Sequence, residues 1–125
     1  MKKILIVDND TVFLKFMEWL LTKHNHQVVT ATDGLQAIDL LNNYTPDVMY
    51  IDLLLPDIDG ETLCKLIRGM DKLKKVWLAI LHDIFAEEWI DFPKLGANAH
   101  IAKGPFIEMA QKVLSVLDQP ELTYA

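Results

Sequence analysis

The sequence predicts a doubly wound α/β fold, with five parallel strands in the order 2-1-3-4-5 and helices on both faces. Two observations carry that expectation. Short β-prone runs alternate with stretches of helical period along the chain, and the runs are almost continuously apolar, as strands covered on both faces are. A third observation agrees with them. Charged or polar residues stand directly at the ends of several runs, where an open parallel sheet presents its ligands.

The elements follow in order. Residues 4–7 form the first run, which meets Asp8, Asn9 and Asp10. Phe13, Phe16, Met17, Leu20 and Leu21 then fall at i, i+3, i+4, i+7 and i+8, the apolar stripe of a helix. After the second run, 28–32, the Asp33-Gly34 turn leads to a second helix marked by Ala37, Ile38 and Leu41. The third run, 48–51, stops at Asp52, and Leu63, Leu66, Ile67 and Met70 mark a third helix interrupted by Gly69. A fourth run covers 77–81. Trp89, Ile90 and Leu95 suggest a fourth helix, in which Pro93 costs about 3 kcal/mol or marks a break. The fifth run, 99–102, ends at Lys103, and Ile107, Ala110, Val113, Leu114 and Leu117 make a fifth helix. Right-handed crossovers then leave few topologies, and the order 2-1-3-4-5 reverses between the first and third strands. Asp8, Asp52 and Lys103 should therefore converge on one rim.

Composition narrows the function. With 125 residues, 51% apolar and 24% charged, the chain fits one globular domain. A net charge of −6 argues against direct nucleic-acid or anionic-membrane binding, which rewards clustered Lys and Arg. The short clusters Lys2-Lys3 and Lys72, Lys74, Lys75 read as solvated surface. A single cysteine, Cys64, rules out an internal disulfide and a multi-thiolate zinc site, and a reducing cytoplasm is the expected compartment. The N-terminal apolar run is too short for a signal peptide, and none approaches the roughly 20 residues of a membrane span.

Carboxylates gathered at one strand edge repel one another, at ~4 Å by on the order of 4 kcal/mol per pair for an effective dielectric of ~20. A hard divalent cation with oxygen ligands, Mg²⁺, relieves that repulsion. A carboxylate beside Mg²⁺ and a lysine can act as nucleophile toward a phosphoryl group, whose charge the two cations neutralise. Taken singly, Asp8 reads equally as a helix cap and Lys103 as a surface lysine. Their joint placement is what gives them weight.

The stretches ILIVDND, TATDGLQAIDLL, PDVMYIDLLLPDIDG and LGANAHIAKGPF, in that order, resemble the receiver domains of two-component response regulators, those of the chemotaxis-regulator type included. The resemblance spans essentially the whole chain. It implies a flavodoxin-like fold and an aspartate phosphorylated, with Mg²⁺, by a histidine kinase or phosphotransfer protein. A downstream effector or output domain then reads the change. Asp52 falls on the phosphoacceptor and Lys103 on the lysine that contacts the phosphoryl group. Asp8, Asn9, Asp52 and the backbone carbonyl of Leu54 fall on the metal pocket, and Leu81, His82 and His100 on or beside the switch positions.

The departures are specific. Asn9 replaces a second metal-binding acid, with Asp10 beside it as a partial substitute. Leu81 stands where the resemblance puts a Ser or Thr, and His100 where it puts an aromatic ring. The Lys-Pro pair is split as Lys103-Gly104-Pro105, so that either Gly104 is an insertion or it occupies the lysine's place. These departures motivate an alternative, a receiver-like interaction module that binds partners without phosphorylation. A phosphatase reading of residues 57–63, which resemble the haloacid-dehalogenase motif, fails because Pro56 precedes Asp57 and the strand has already ended. Beyond slow autodephosphorylation, no enzymatic activity is expected.

Trp19, on the polar side of the first helix, reads either as a partner anchor or as a ring lying over its own helix. His24 and His26 read as loop residues, Cys64 as a core residue, and Asp57 and Asp59 as loop and turn residues. The receiver is expected over residues 1–119, with 120–125 a tail or the start of a linker. The same resemblance allows a homodimer through the face of the fourth helix, fifth strand and fifth helix.

Overall fold

A computed structural model of the protein describes residues 1–83 and 89–117. Its strands are β1 (Lys3–Val7), β2 (Gln27–Ala31), β3 (Val48–Asp52), β4 (Trp77–His82) and β5 (Ala99–Ala102). They form one sheet in the order β2-β1-β3-β4-β5, every pair parallel. The α-helices are α1 (Thr11–Lys23), α2 (Gly34–Leu41), α3 (Gly60–Arg68) and α4 (Phe106–Leu117), with short 3-10 turns at Asp71–Leu73 and Pro93–Leu95.

Successive strand residues point to opposite faces, so each apolar strand feeds two cores. Leu5, Val7, Met49, Ile51 and Leu78 pack with Ala37 and Leu41 of α2 and with Leu63 and Ile67 of α3. Ile4, Ile6, Tyr50, Ala79 and Leu81 pack with Phe13, Met17 and Leu21 of α1 and with Met109 and Val113 of α4. Burial on both sides is why the strands lack polar alternation.

Aspartates start three of the helices. Asp10 accepts from the N–H groups of Val12 and Phe13, Asp33 from that of Gln36, and Asp59 from that of Thr62. Each satisfies N–H groups that the first helical turn leaves unpaired. At the far end of α3 the Arg68 guanidinium bonds the carbonyls of Gly96 and Val76 and the side chain of Asn98, tying that helix to the β4–β5 region.

Two expectations need correction. No α-helix forms over residues 89–98: Trp89 lies in a turn, Ile90 in irregular chain, and Pro93 begins the 3-10 turn Pro93–Leu95. Its missing N–H is harmless at the start of a helical turn, so proline opens this element and does not kink one. The third helix likewise stops at Arg68 with Gly69 as its cap, leaving Met70 outside it. The expected tail at 120–125 lies outside the described residues. Among the described residues no helix is long and apolar enough to cross a membrane.

Candidate functional site

The rim at the carboxyl ends of the strands brings the distant polar residues together. Asp8 follows β1, and its N–H donates to the carbonyl of Ala31 at 3.0 Å, continuing the ladder one step beyond the strand. Asp52 is the last residue of β3, opposite Leu81 in β4, and the next N–H, of Leu53, donates to the Leu81 carbonyl. Lys103 follows β5, held by a 2.7 Å hydrogen bond from its N–H to the His82 carbonyl. Backbone pairing therefore fixes all three positions before any side chain acts.

The side chains then meet. Lys103 Nζ lies 2.5 Å from Asp8 Oδ2 and 3.5 Å from Asp52 Oδ1. The same ammonium stands over the Phe13 ring, 4.7 Å from its centroid, a cation–π contact that fixes the lysine from the α1 side. Asp8 is wholly buried and Asp52 nearly so. Burial raises the Asp52 carboxyl above its ordinary range and the Asp8 charge raises it further, while Lys103 and the Leu54 N–H act in the opposite direction.

This arrangement fits a hard cation. Two buried carboxylates face one ammonium, so the pocket carries excess negative charge. Among the described residues, Asp8 Oδ2 is buried and accepts no well-directed hydrogen bond, and the Lys103 charge compensates it. Among the described residues no group of three or more His, Cys, Asp or Glu side chains is placed to hold a metal ion. The carboxylates of Asp8 and Asp52, with Asn9 next in sequence to Asp8, offer oxygen atoms of the kind that suits a Mg²⁺ ion retaining several waters. Asp10 does not substitute for the acid missing at Asn9, because its carboxylate caps α1.

The switch residues divide between the two faces of the sheet. Leu81 is fully buried in the core beneath α1 and α4, so its side chain does not join the pair formed by the two histidines. Leu81 is the register partner of Asp52 and projects from the same face of the sheet as that carboxylate, whereas strand alternation places its neighbour His82 on the opposite face. His82 Nε2 and His100 Nδ1 share a hydrogen bond of 2.9 Å, and His82 Nδ1 meets the Asp83 carbonyl at 2.6 Å. Phe92 stacks on both rings, with its centroid 4.2 Å from that of His100 and 4.8 Å from that of His82.

Phe13 and Phe92 as partners of the site carried no sequence signal beyond their apolar character. Asp57, too, does more than occupy a loop: its carboxylate binds the start of α2. Trp19 is 58% exposed, with Lys23 over its ring, and Cys64 is fully buried. His24 and His26 lie in the turn between α1 and β2.

The geometry has clear parallels. A family model, the response regulator receiver domain, matches residues 4–113. A probable transcriptional regulator, ycf27, of Guillardia theta is 33% identical over 93% of this chain and 45% of its own length. This chain spans about half the length, or less, of the curated relatives it matches. A putative response regulator from Chloroflexus aurantiacus superposes with a TM-score of 0.82 at 30% identity, covering 94% of this chain and 98% of its own. The receiver domain of sensor histidine kinase PA1611 from Pseudomonas aeruginosa has magnesium coordinated in its active-site cleft. It superposes with a TM-score of 0.78 at 24% identity, covering 91% of this chain and 94% of its own.

Proposed function

The chain belongs to the response regulator receiver domain family, and on that premise we propose that Asp52 is its phosphoacceptor, with Lys103 and a Mg²⁺ site at Asp8, Asn9, Asp52 and the Leu54 carbonyl. As a receiver it is a signalling domain of two-component systems. The observation that carries the assignment is the single ammonium of Lys103 reaching both Asp8 and Asp52 at the strand-end rim.

In the transfer, an Asp52 carboxylate oxygen attacks the phosphorus of a phosphohistidine on a partner kinase or phosphotransfer protein. The new P–O bond forms as the P–N bond breaks, and the departing imidazole takes the electron pair and then a proton. Bound Mg²⁺ would supply positive charge for the phosphoryl oxygens. Lys103 contributes the second cation, already 3.5 Å from Asp52 Oδ1. Asp8 anchors Lys103 and completes the metal's anionic wall. The burial that raises the Asp52 carboxyl also removes competing water from the nucleophile. A downstream effector or output domain reads the phosphorylated state, and a face including β5 and α4 is available for pairing with a second copy.

Incubation with a small phosphodonor, followed by intact-mass measurement with and without Mg²⁺, tests this reading. One phosphoryl group is expected, dependent on the metal. One observation favours a second reading. Leu81, the register partner of Asp52, puts a buried apolar side chain on the face of the carboxylate, where the family has a hydroxyl that reports the phosphoryl group. In that reading the domain binds its partners without phosphorylation, and failure to take label at any donor concentration would support it.

A further inference from the structure

Asp57 is exposed, yet both of its carboxylate oxygens are engaged. Oδ1 accepts from the Gly34 N–H at 2.9 Å and from its neighbour Ile58 at 2.7 Å, and Oδ2 accepts from the Leu35 N–H at 2.8 Å. Gly34 and Leu35 open α2, and N–H groups there have no partner within the helix. One side chain of the loop after β3 thus holds the start of a helix more than twenty residues earlier in the chain. Desolvation is the largest single influence and raises this carboxyl, but the N–H groups of Gly34, Leu35, Ile58 and Asp57 itself together outweigh it and hold it below the ordinary range.

The loop is also fixed at its base. Gly60 N–H donates to the Leu53 carbonyl at 2.8 Å, and a Cβ on Gly60 would stand 2.5 Å from the Asp52 carbonyl oxygen. At the loop's outer side, a Cβ on Gly34 would stand 3.0 Å from Cβ of Ile58, so loop and helix are in direct contact. Leu54, two residues after Asp52, lies between these two anchors and its side chain is exposed. The core fixes β3, but little apolar contact fixes Leu54 itself.

We propose that Asp57 is a positioning residue for phosphoryl transfer: by clamping the β3–α3 loop to the N-terminus of α2, it fixes the backbone of Leu54 two residues beyond Asp52. The inference rests on Asp52 being the phosphoacceptor, and it gives α2 a direct connection to that residue. Asp57→Asn removes one acceptor and the charge while keeping the side chain's shape. Leu35→Pro removes one donor from the opposite side, at a first-turn position where helices tolerate proline. Asp33→Ala is the control, because it removes the cap of α2 without touching the loop.

The test is amide NMR on the metal-free protein together with phosphodonor labelling. Asp57→Asn is expected to shift the Leu54 amide resonance, speed its hydrogen exchange and slow labelling by about tenfold, the scale of a modest misplacement. Leu35→Pro should move the Leu54 amide in the same direction, and the double variant should do no more than the larger single change, since both cut one connection. Asp33→Ala should lower the melting temperature and leave the Leu54 amide in place. An unmoved Leu54 amide in Asp57→Asn, or fully additive effects, would overturn the proposal. A wild-type chain that takes no label overturns the phosphoacceptor reading instead, and the Leu54 amide still decides whether Asp57 positions the loop.

Discussion

Lys103 Nζ lies 2.5 Å from Asp8 Oδ2, a buried oxygen with no hydrogen-bond partner among the described residues. Removing one partner of a buried pair commonly costs about 3–5 kcal/mol, because the other charge is left unpaired. Lys103 is 30% exposed, so water recovers part of the loss. Lys103→Ala is expected to cost about 2–3 kcal/mol in urea unfolding at neutral pH without metal. Saturating Mg²⁺ should return much of that stability by supplying the missing positive charge.

Asp52 predicts the opposite sign. Its carboxyl is raised in the folded protein, first by burial and then by Asp8. The folded state therefore holds the proton more tightly than the unfolded chain, and stability falls as pH rises from the ordinary carboxyl pKa through the raised one. At neutral pH, without metal, the ionised Asp52 is a net cost. Asp52→Asn should raise the melting temperature there, by about 3–6 °C for each kcal/mol relieved, and the gain should vanish in acid. A variant no more stable than wild type at neutral pH would show that Lys103 already compensates the charge in full.

Gly60 is required by space. A Cβ there would stand 2.5 Å from the Asp52 carbonyl oxygen and 2.7 Å from Cα of Leu53, backbone atoms that cannot yield cheaply. Gly60→Ala should destabilise by about 1–3 kcal/mol, as overpacking does, and slow labelling of Asp52. Chemical denaturation and labelling rates measured on the same preparation check both effects.

Cys64 should be inert. It is fully buried, and burial is the main cause that pushes its thiol up to about 12. Alkylation by a thiol reagent at neutral pH should therefore proceed only as fast as the protein opens, and in urea it should follow the unfolded fraction.

The rim trio was legible because each residue ends an apolar run, and a parallel sheet places such ends together whatever their separation in sequence. The fourth strand runs one residue past the expected 77–81, to His82, whose side chain leaves on the face opposite Asp52 and Leu81. Helical spacing in Trp89, Ile90 and Leu95 was misleading: Pro93 could be read as a break within a helix, but it begins a short turn of its own. Contacts made across the fold left no local trace. Phe13 looks like any core residue of α1, and nothing near Asp57 in sequence points to the start of α2.

The central claim is that Asp52, among the three acids of residues 48–60, is the phosphoacceptor. It is tested most directly by labelling the wild type and the Asp52→Ala and Asp59→Ala variants with a small phosphodonor and Mg²⁺, then locating the phosphoryl group by peptide mass. A single group on Asp52, absent from Asp52→Ala and retained in Asp59→Ala, is the predicted result. A label that persists in Asp52→Ala, or that maps to Asp57 or Asp59 in the wild type, would contradict it.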